Sequence, residues 1–160
     1  NVISEQFKRM ANVDILHIPY KGSSPALTDM VGGQLSMLMV TLSVFEQLEK
    51  AGKLKILATA TEKRLSLRPD LPTISEAGVS GYSANVWFGL ATTAGTAEST
   101  LDKIHNDTIK ILSTNSFVEK VIRSQSLEPV ISTRSEFSSF LKSEETRWGQ
   151  LVRDSGAKVE

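Results

Sequence analysis

The chain has 160 residues, 40% hydrophobic and 22% charged, an ordinary globular composition that is long enough for a well-cored domain. Eighteen Lys and Arg balance eighteen Asp and Glu, and neither sign gathers into a run, so nucleic acid is not an expected partner. With no cysteine, disulfides, thiol chemistry and the usual zinc-ribbon and iron–sulfur ligand sets are excluded.

Ile3, Phe7 and Met10 stand at helical spacing and predict a short helix. No signal-peptide-like apolar segment lies among these first residues, so the chain is expected to begin inside a domain. Residues 14–18 read as a buried strand ending at Pro19. Ser23, Ser24 and Pro25 offer N-cap hydroxyls and a proline at the first helical position. Leu27, Met30 and Val31 mark that helix's buried face, and Gly32-Gly33 ends it. Residues 35–41 are almost continuously apolar, as in a parallel strand covered on both faces. The apolar stretch 35–44 is too short to cross a bilayer and is broken by Ser36, Thr41 and Ser43. Ser43 is placed to cap a helix that carries Phe45 and Leu48 and stops at Gly52, and residues 54–61 supply a third strand. Strand and helix alternating at this spacing predict an α/β layered fold with a mainly parallel sheet.

Residues 62–81 are rich in turn-formers and charges and read as a long irregular connection, with a short helix at 73–77. Residues 86–92 restore a strand. Thr96 then caps a long helix with the stripe Leu101, Ile104, Thr108, Ile111 and Leu112. Ser116 with Glu119, and Thr133 with Glu136, fit capping boxes. Residues 128–131 read as a short strand, and the last helix is expected to bury Phe137, Phe140, Leu141, Trp148 and Leu151. The second half is therefore helix-rich.

A helix beginning at Ser24-Pro25 would direct the amides of Ala26 and Leu27, with the positive end of its dipole, at whatever lies above the loop. Such a terminus suits a carboxylate or phosphate. Lys21 can add charge, Tyr20, Ser23 and Ser24 can add donors, and Gly22 lets the backbone come close. On spacing alone an ordinary capped helix is the better reading, because capping serines are common. A Walker-type phosphate loop is excluded by the missing second glycine and Gly-Lys-Ser/Thr ending.

Thr41, at the carboxyl end of the second predicted strand, stands where open α/β sheets present groups to a ligand, although core threonines also end strands. For Trp87 and Phe88, core packing is the default reading and ligand stacking the alternative. His17 and His105 lie far apart without carboxylates at metal-binding spacing. Asp70 and Glu76 read as surface charge. Ser24 lacks the nucleophile elbow, and Pro25 would remove an oxyanion-hole amide. No nucleophile, base and oxyanion set converges, so an enzyme is disfavoured and no cofactor is called for.

The string from His17 through Tyr20-Lys21-Gly22-Ser23-Ser24-Pro25-Ala26 to Asp29, followed by Gly32-Gly33-Gln34, resembles the signature of Bug-type extracytoplasmic solute-binding receptors of tripartite tricarboxylate transporters. The likeness continues in family order through Ala51-Gly52-Lys53-Leu54, Pro69-Asp70-Leu71-Pro72-Thr73, Trp87-Phe88-Gly89-Leu90, Ala94-Gly95-Thr96 and Trp148-Gly149. It implies a type II periplasmic-binding-protein architecture, with two α/β lobes closing on a ligand. Residues 1–84 would form most of the second lobe; residues 85–160 would supply the crossover strand and part of the first lobe. The family's N-terminal section, including the glycine-rich loop that forms the other half of the anion site, is expected to lie outside these residues.

Carried over, Tyr20, Lys21, Gly22, Ser23, Ser24, Pro25 and Ala26 match the family's second-lobe binding loop, with Thr41 as a further candidate ligand contact. The resemblance implies a small organic acid as ligand, membrane transporter subunits as partners and the periplasm as location. A ligand-sensing protein of the same fold serving a signalling partner is the alternative. Val40 stands where family members often carry an acid, which favours a plain carboxylate over an amino acid, and Thr93 and Ala97 stand where prolines are frequent. Sheet edges left without neighbours are expected to favour self-association.

Overall fold

The computed structural model describes residues 2–155, which form six helices joined by long irregular segments. Helix α1 is Val2–Ala11, α2 Ser23–Val31, α3 Leu42–Lys50, α4 Glu98–Leu112, α5 Asn115–Phe117 and α6 Arg134–Ser155. A π turn over Val118–Ile122 and a short 3-10 turn over Arg123–Gln125 continue α5. No helix among the described residues is long and apolar enough to cross a membrane.

The helix ends follow local chemistry. Helix α2 closes in a Schellman motif, in which Gln34 N–H donates to the Asp29 carbonyl (2.8 Å) and Gly33 N–H to that of Met30 (3.1 Å). Helix α3 closes the same way, with Lys53 N–H on the Leu48 carbonyl (2.9 Å) and Gly52 N–H on that of Glu49 (2.8 Å). The Thr133/Glu136 capping box forms: Thr133 N–H donates to the Glu136 carboxylate at 2.7 Å, and Glu136 N–H to Thr133 Oγ1 at 3.1 Å. The same reciprocal pair joins Thr73 and Glu76, at 2.8 and 3.1 Å, at the single helical turn within the irregular connection. The Ser116/Glu119 box does not form, because the helix start falls on Thr114 and Glu119 instead faces Arg123 at 3.4 Å. Helix α3 starts two residues early, on Thr41 rather than Ser43, and α4 starts after Ala97, leaving the Thr96 hydroxyl to donate to the Thr93 carbonyl.

The expected mainly parallel sheet is not formed among the described residues. Residues 14–18, 35–41, 86–92 and 128–131 make no strand ladder, and residues 54–61 pair only through one parallel bridge between Thr59 and Thr73. There Thr59 N–H donates to the Pro72 carbonyl and Ile74 N–H to the Thr59 carbonyl, both at 2.9 Å. A strand, unlike a helix, satisfies its backbone only through a neighbour. These segments have the composition of buried strands without the partners, and Leu16, Leu57, Phe88 and Val130 are 84%, 70%, 75% and 79% exposed.

Packing concentrates in two places. Around the Thr59–Thr73 bridge, Leu71, Thr73, Tyr82 and Ala84 are buried. The Tyr82 ring meets Phe7 of α1 edge-on at 5.9 Å, and its hydroxyl donates to the Ile3 carbonyl at 3.0 Å. Burial pushes this phenol up to about 12, which keeps it a donor at any ordinary pH. Along α6, Trp87 meets Phe137 and Phe140 edge-on at 6.0 and 5.4 Å. Trp87 thus packs its ring edges against α6 but stays 38% exposed, so the core-packing reading is met only in part, and its neighbour Phe88 is 75% exposed.

Candidate functional site

The loop before α2 brings Tyr20, Lys21, Gly22, Ser23, Ser24 and Pro25 together in sequence order at a helix N-terminus, all exposed except the half-buried Tyr20. Gly22 is the N-cap residue, with φ 121° and ψ 173°, and no side chain caps the helix. The serines therefore do not spend their hydroxyls on capping, as the sequence suggested, and both lie within the first turn. With the helix starting at Ser23, the amides lacking an intrahelical partner are those of Gly22, Ser23 and Ser24, since Pro25 has none. The free donors thus lie on Gly22 to Ser24, before the expected Ala26 and Leu27. Ala26 is buried and anchors the helix to the core rather than facing solvent.

Tyr20 does not point a free hydroxyl outward. Its Oη donates to Asp29 Oδ2, in the last turn of α2, at 2.7 Å. The bond to Asp29 also raises the phenol above its ordinary value. Lys21 makes no ion pair among the described residues. What remains is an exposed ammonium, two hydroxyls and three amide donors beside the positive end of a helix, a set that can bind an oxyanion and has no group suited to proton abstraction. Thr41 is exposed at the N-cap of α3, makes no capping bond and shares no hydrogen bond with this loop.

The other residues singled out from sequence do not assemble into chemistry. His17 is exposed, and among the described residues no group of His, Asp and Glu could hold a metal. Asp70 pairs with Arg68 at 2.8 Å, which holds its carboxyl below the ordinary range, and Glu76 is held low by the Thr73 N–H first and then by Arg64 at 2.9 Å. An open cleft of about 480 Å³ beside α1 is lined by charges that pair among themselves, Lys8 with Glu5 at 3.2 Å and Arg9 with Asp154 at 2.9 Å.

Sequence reasoning missed two residues. Asp29 sits nine positions from Tyr20, beyond the reach of helical periodicity, and only a fold-back of the loop reveals their pairing. Glu144, buried on α6, accepts from Trp87 Nε1 and Trp148 Nε1, both at 3.0 Å, and from Arg147 at 2.7 and 2.8 Å. The Arg147 guanidinium foremost, with the two indoles, brings Glu144 down to about 2 against the opposing effect of burial. Arg147 also donates to the Ser83 carbonyl at 3.2 Å and lies over the Trp148 ring at 5.2 Å. With its oxygens so occupied, Glu144 ties residues 83–87 to α6 and leaves nothing for a ligand. A carboxylate four residues before Trp148, with Arg147 between them, is the only sequence trace of this hub.

The model of the tripartite tricarboxylate transporter family receptor matches residues 1–157. The chain belongs to this family. BugT of Bordetella pertussis is 29% identical over 159 residues, 99% of this chain and 48% of its own length. The solved structure of Rpa4515 of R. palustris with adipate superposes with a TM-score of 0.81 at 31% identity, over 97% of this chain and 52% of that one. The periplasmic binding protein BugD superposes with a TM-score of 0.75 at 26% identity, over 99% and 54% of the two chains. This chain spans about half the length of these relatives, and the receptor fold it shares with them is a Bug-type one.

Proposed function

We propose that this receptor chain captures a small organic dicarboxylate in the periplasm, through the loop at residues 20–24, and delivers it to membrane transporter subunits. The observation that carries the reading is the pairing of family membership across the chain with a loop whose exposed donors are free for an anion. The adipate bound by a 31%-identical neighbour supports the ligand class. Val40 in place of an acid leaves no carboxylate at that position for a ligand amino group, so plain dicarboxylates are preferred over amino acids. Residues 1–84 and 85–160 serve as parts of two lobes that close on the ligand, and no step of catalysis is involved.

Calorimetric titration of the full-length protein with adipate, succinate and aspartate tests this. Saturable binding of a dicarboxylate is expected, with Lys21→Ala weakening it about tenfold or more, as for a charged hydrogen bond worth about 1.5–3 kcal/mol. Failure of all three acids to bind would sink the receptor reading, and tighter binding of aspartate than of succinate would sink the ligand preference.

A further inference from the structure

Tyr20 opens the anion loop, yet its hydroxyl is committed at 2.7 Å to the carboxylate of Asp29. Asp29 is itself fixed, because its carbonyl accepts from Gln34 N–H at 2.8 Å in the Schellman closure of α2. The first residue of the loop is therefore tied to the last turn of the helix whose N-terminus the loop precedes. Between them lies Gly22, in a conformation that only glycine holds without strain, with nothing within 4 Å of where a Cβ would stand. A side chain at Gly22 would thus meet no packing neighbour, and on the upstream side Pro19 is exposed and without an N–H.

We infer that Tyr20 and Asp29 form a strap that positions the anion loop, so that Tyr20 acts as a positioning residue and the ligand is held by Lys21, the serine hydroxyls and the amides of Gly22 to Ser24. This deepens the dicarboxylate-receptor reading and rests on it. The division of labour follows from valence: a phenol has one proton to donate, and Asp29 takes it. Preorganising the loop spares the ligand the entropy of ordering it, which is where the strap gains affinity without touching the ligand.

The test compares Tyr20→Phe, Asp29→Ala, Asp29→Asn and the Tyr20→Phe/Asp29→Ala double variant in the full-length protein, by calorimetric titration with adipate and by backbone amide order parameters from NMR relaxation without ligand. The strap predicts that Tyr20→Phe and Asp29→Ala each weaken adipate binding about tenfold, that the double variant loses no more than either, and that Asp29→Asn, which keeps an acceptor, recovers most of the affinity. It also predicts lower ligand-free order parameters at residues 21–24 in the first two variants, with those in α4 unchanged. Loss in Tyr20→Phe with none in Asp29→Ala would overturn the inference and make Tyr20 a direct ligand donor. Unchanged order parameters at residues 21–24 in both variants would overturn it too, even if the wild type bound no acid at all; that last result counts against the receptor reading separately.

Discussion

Gly22 holds φ 121°, a region strained for any residue with a Cβ, although the space around it is empty. Replacing it by alanine therefore costs backbone strain without a clash, about 1–3 kcal/mol. Because the loop is exposed, it can shed that strain by moving. The expected outcome for Gly22→Ala is a large loss of adipate affinity by titration with a much smaller fall in the unfolding free energy by denaturant. At Glu144 the order reverses. Its folded value of about 2 lies below the 4.5 of a free glutamate, so the stability it contributes is full above about pH 4.5 and drains away as pH falls towards 2. Glu144→Gln keeps the shape but strands Arg147 without its counter-charge, and a loss of about 2–4 kcal/mol is expected at pH 7. Denaturant melts across that acid window should show the wild type losing stability there more steeply than the variant. A parallel slope would exclude Glu144 as the titrating group. The loop was legible in sequence as a run of donors before a helix; which donors are free was not, because that depends on a two-residue shift of the helix start and on a partner nine residues away.

Among elements, helices were readable and strands were not, for one reason. The stripes Ile3, Phe7, Met10 and Leu101, Ile104, Thr108 carry their own backbone hydrogen bonds, so periodicity nearly suffices to place α1 and α4. Residues 14–18 and 35–41 have strand composition, but composition names no neighbour. Capping boxes were legible where the helix start agreed with them, at Thr133, and misleading at Ser116, where the start moved to Thr114. One contact between elements was invisible in sequence: a Cβ on Gly89 would stand 2.4 Å from Phe137 Cζ on α6. Phe137 is braced by Trp87 at 6.0 Å and Phe140 at 6.2 Å, so it has little room to yield. Gly89→Ala should destabilise by about 1–3 kcal/mol through overpacking. Phe137→Leu in the same background should recover part of the loss, which denaturant melts of the single and double variants can establish; additive losses would show that the two do not press on each other.

At the scale of the molecule, few bonds hold the residues before Ala84 to those after it. Ser126, buried and left-handed at φ 55°, donates to Glu46 of α3 at 3.0 Å, and Ser66 N–H donates to Glu128 at 2.6 Å. Between these ties, Leu16, Leu57, Phe88 and Val130 expose apolar side chains on segments whose backbone has no ladder partner. Both features that invite edge pairing are then present in the same residues, the apolar surface and the unsatisfied N–H and C=O groups. Expressed as these 160 residues alone, the chain is expected to associate, giving a light-scattering mass above that of one chain and rising with concentration. Phe88→Asp with Leu57→Lys should lower that mass by placing charge on two of the exposed segments. A monomer with a sharp two-state melt would instead mean that these segments find their partners within the chain. The same variants separate the two possible causes of association: if surface hydrophobicity drives it, charge reverses it, whereas if backbone pairing drives it, proline at residue 88 is the more effective change because it removes a donor.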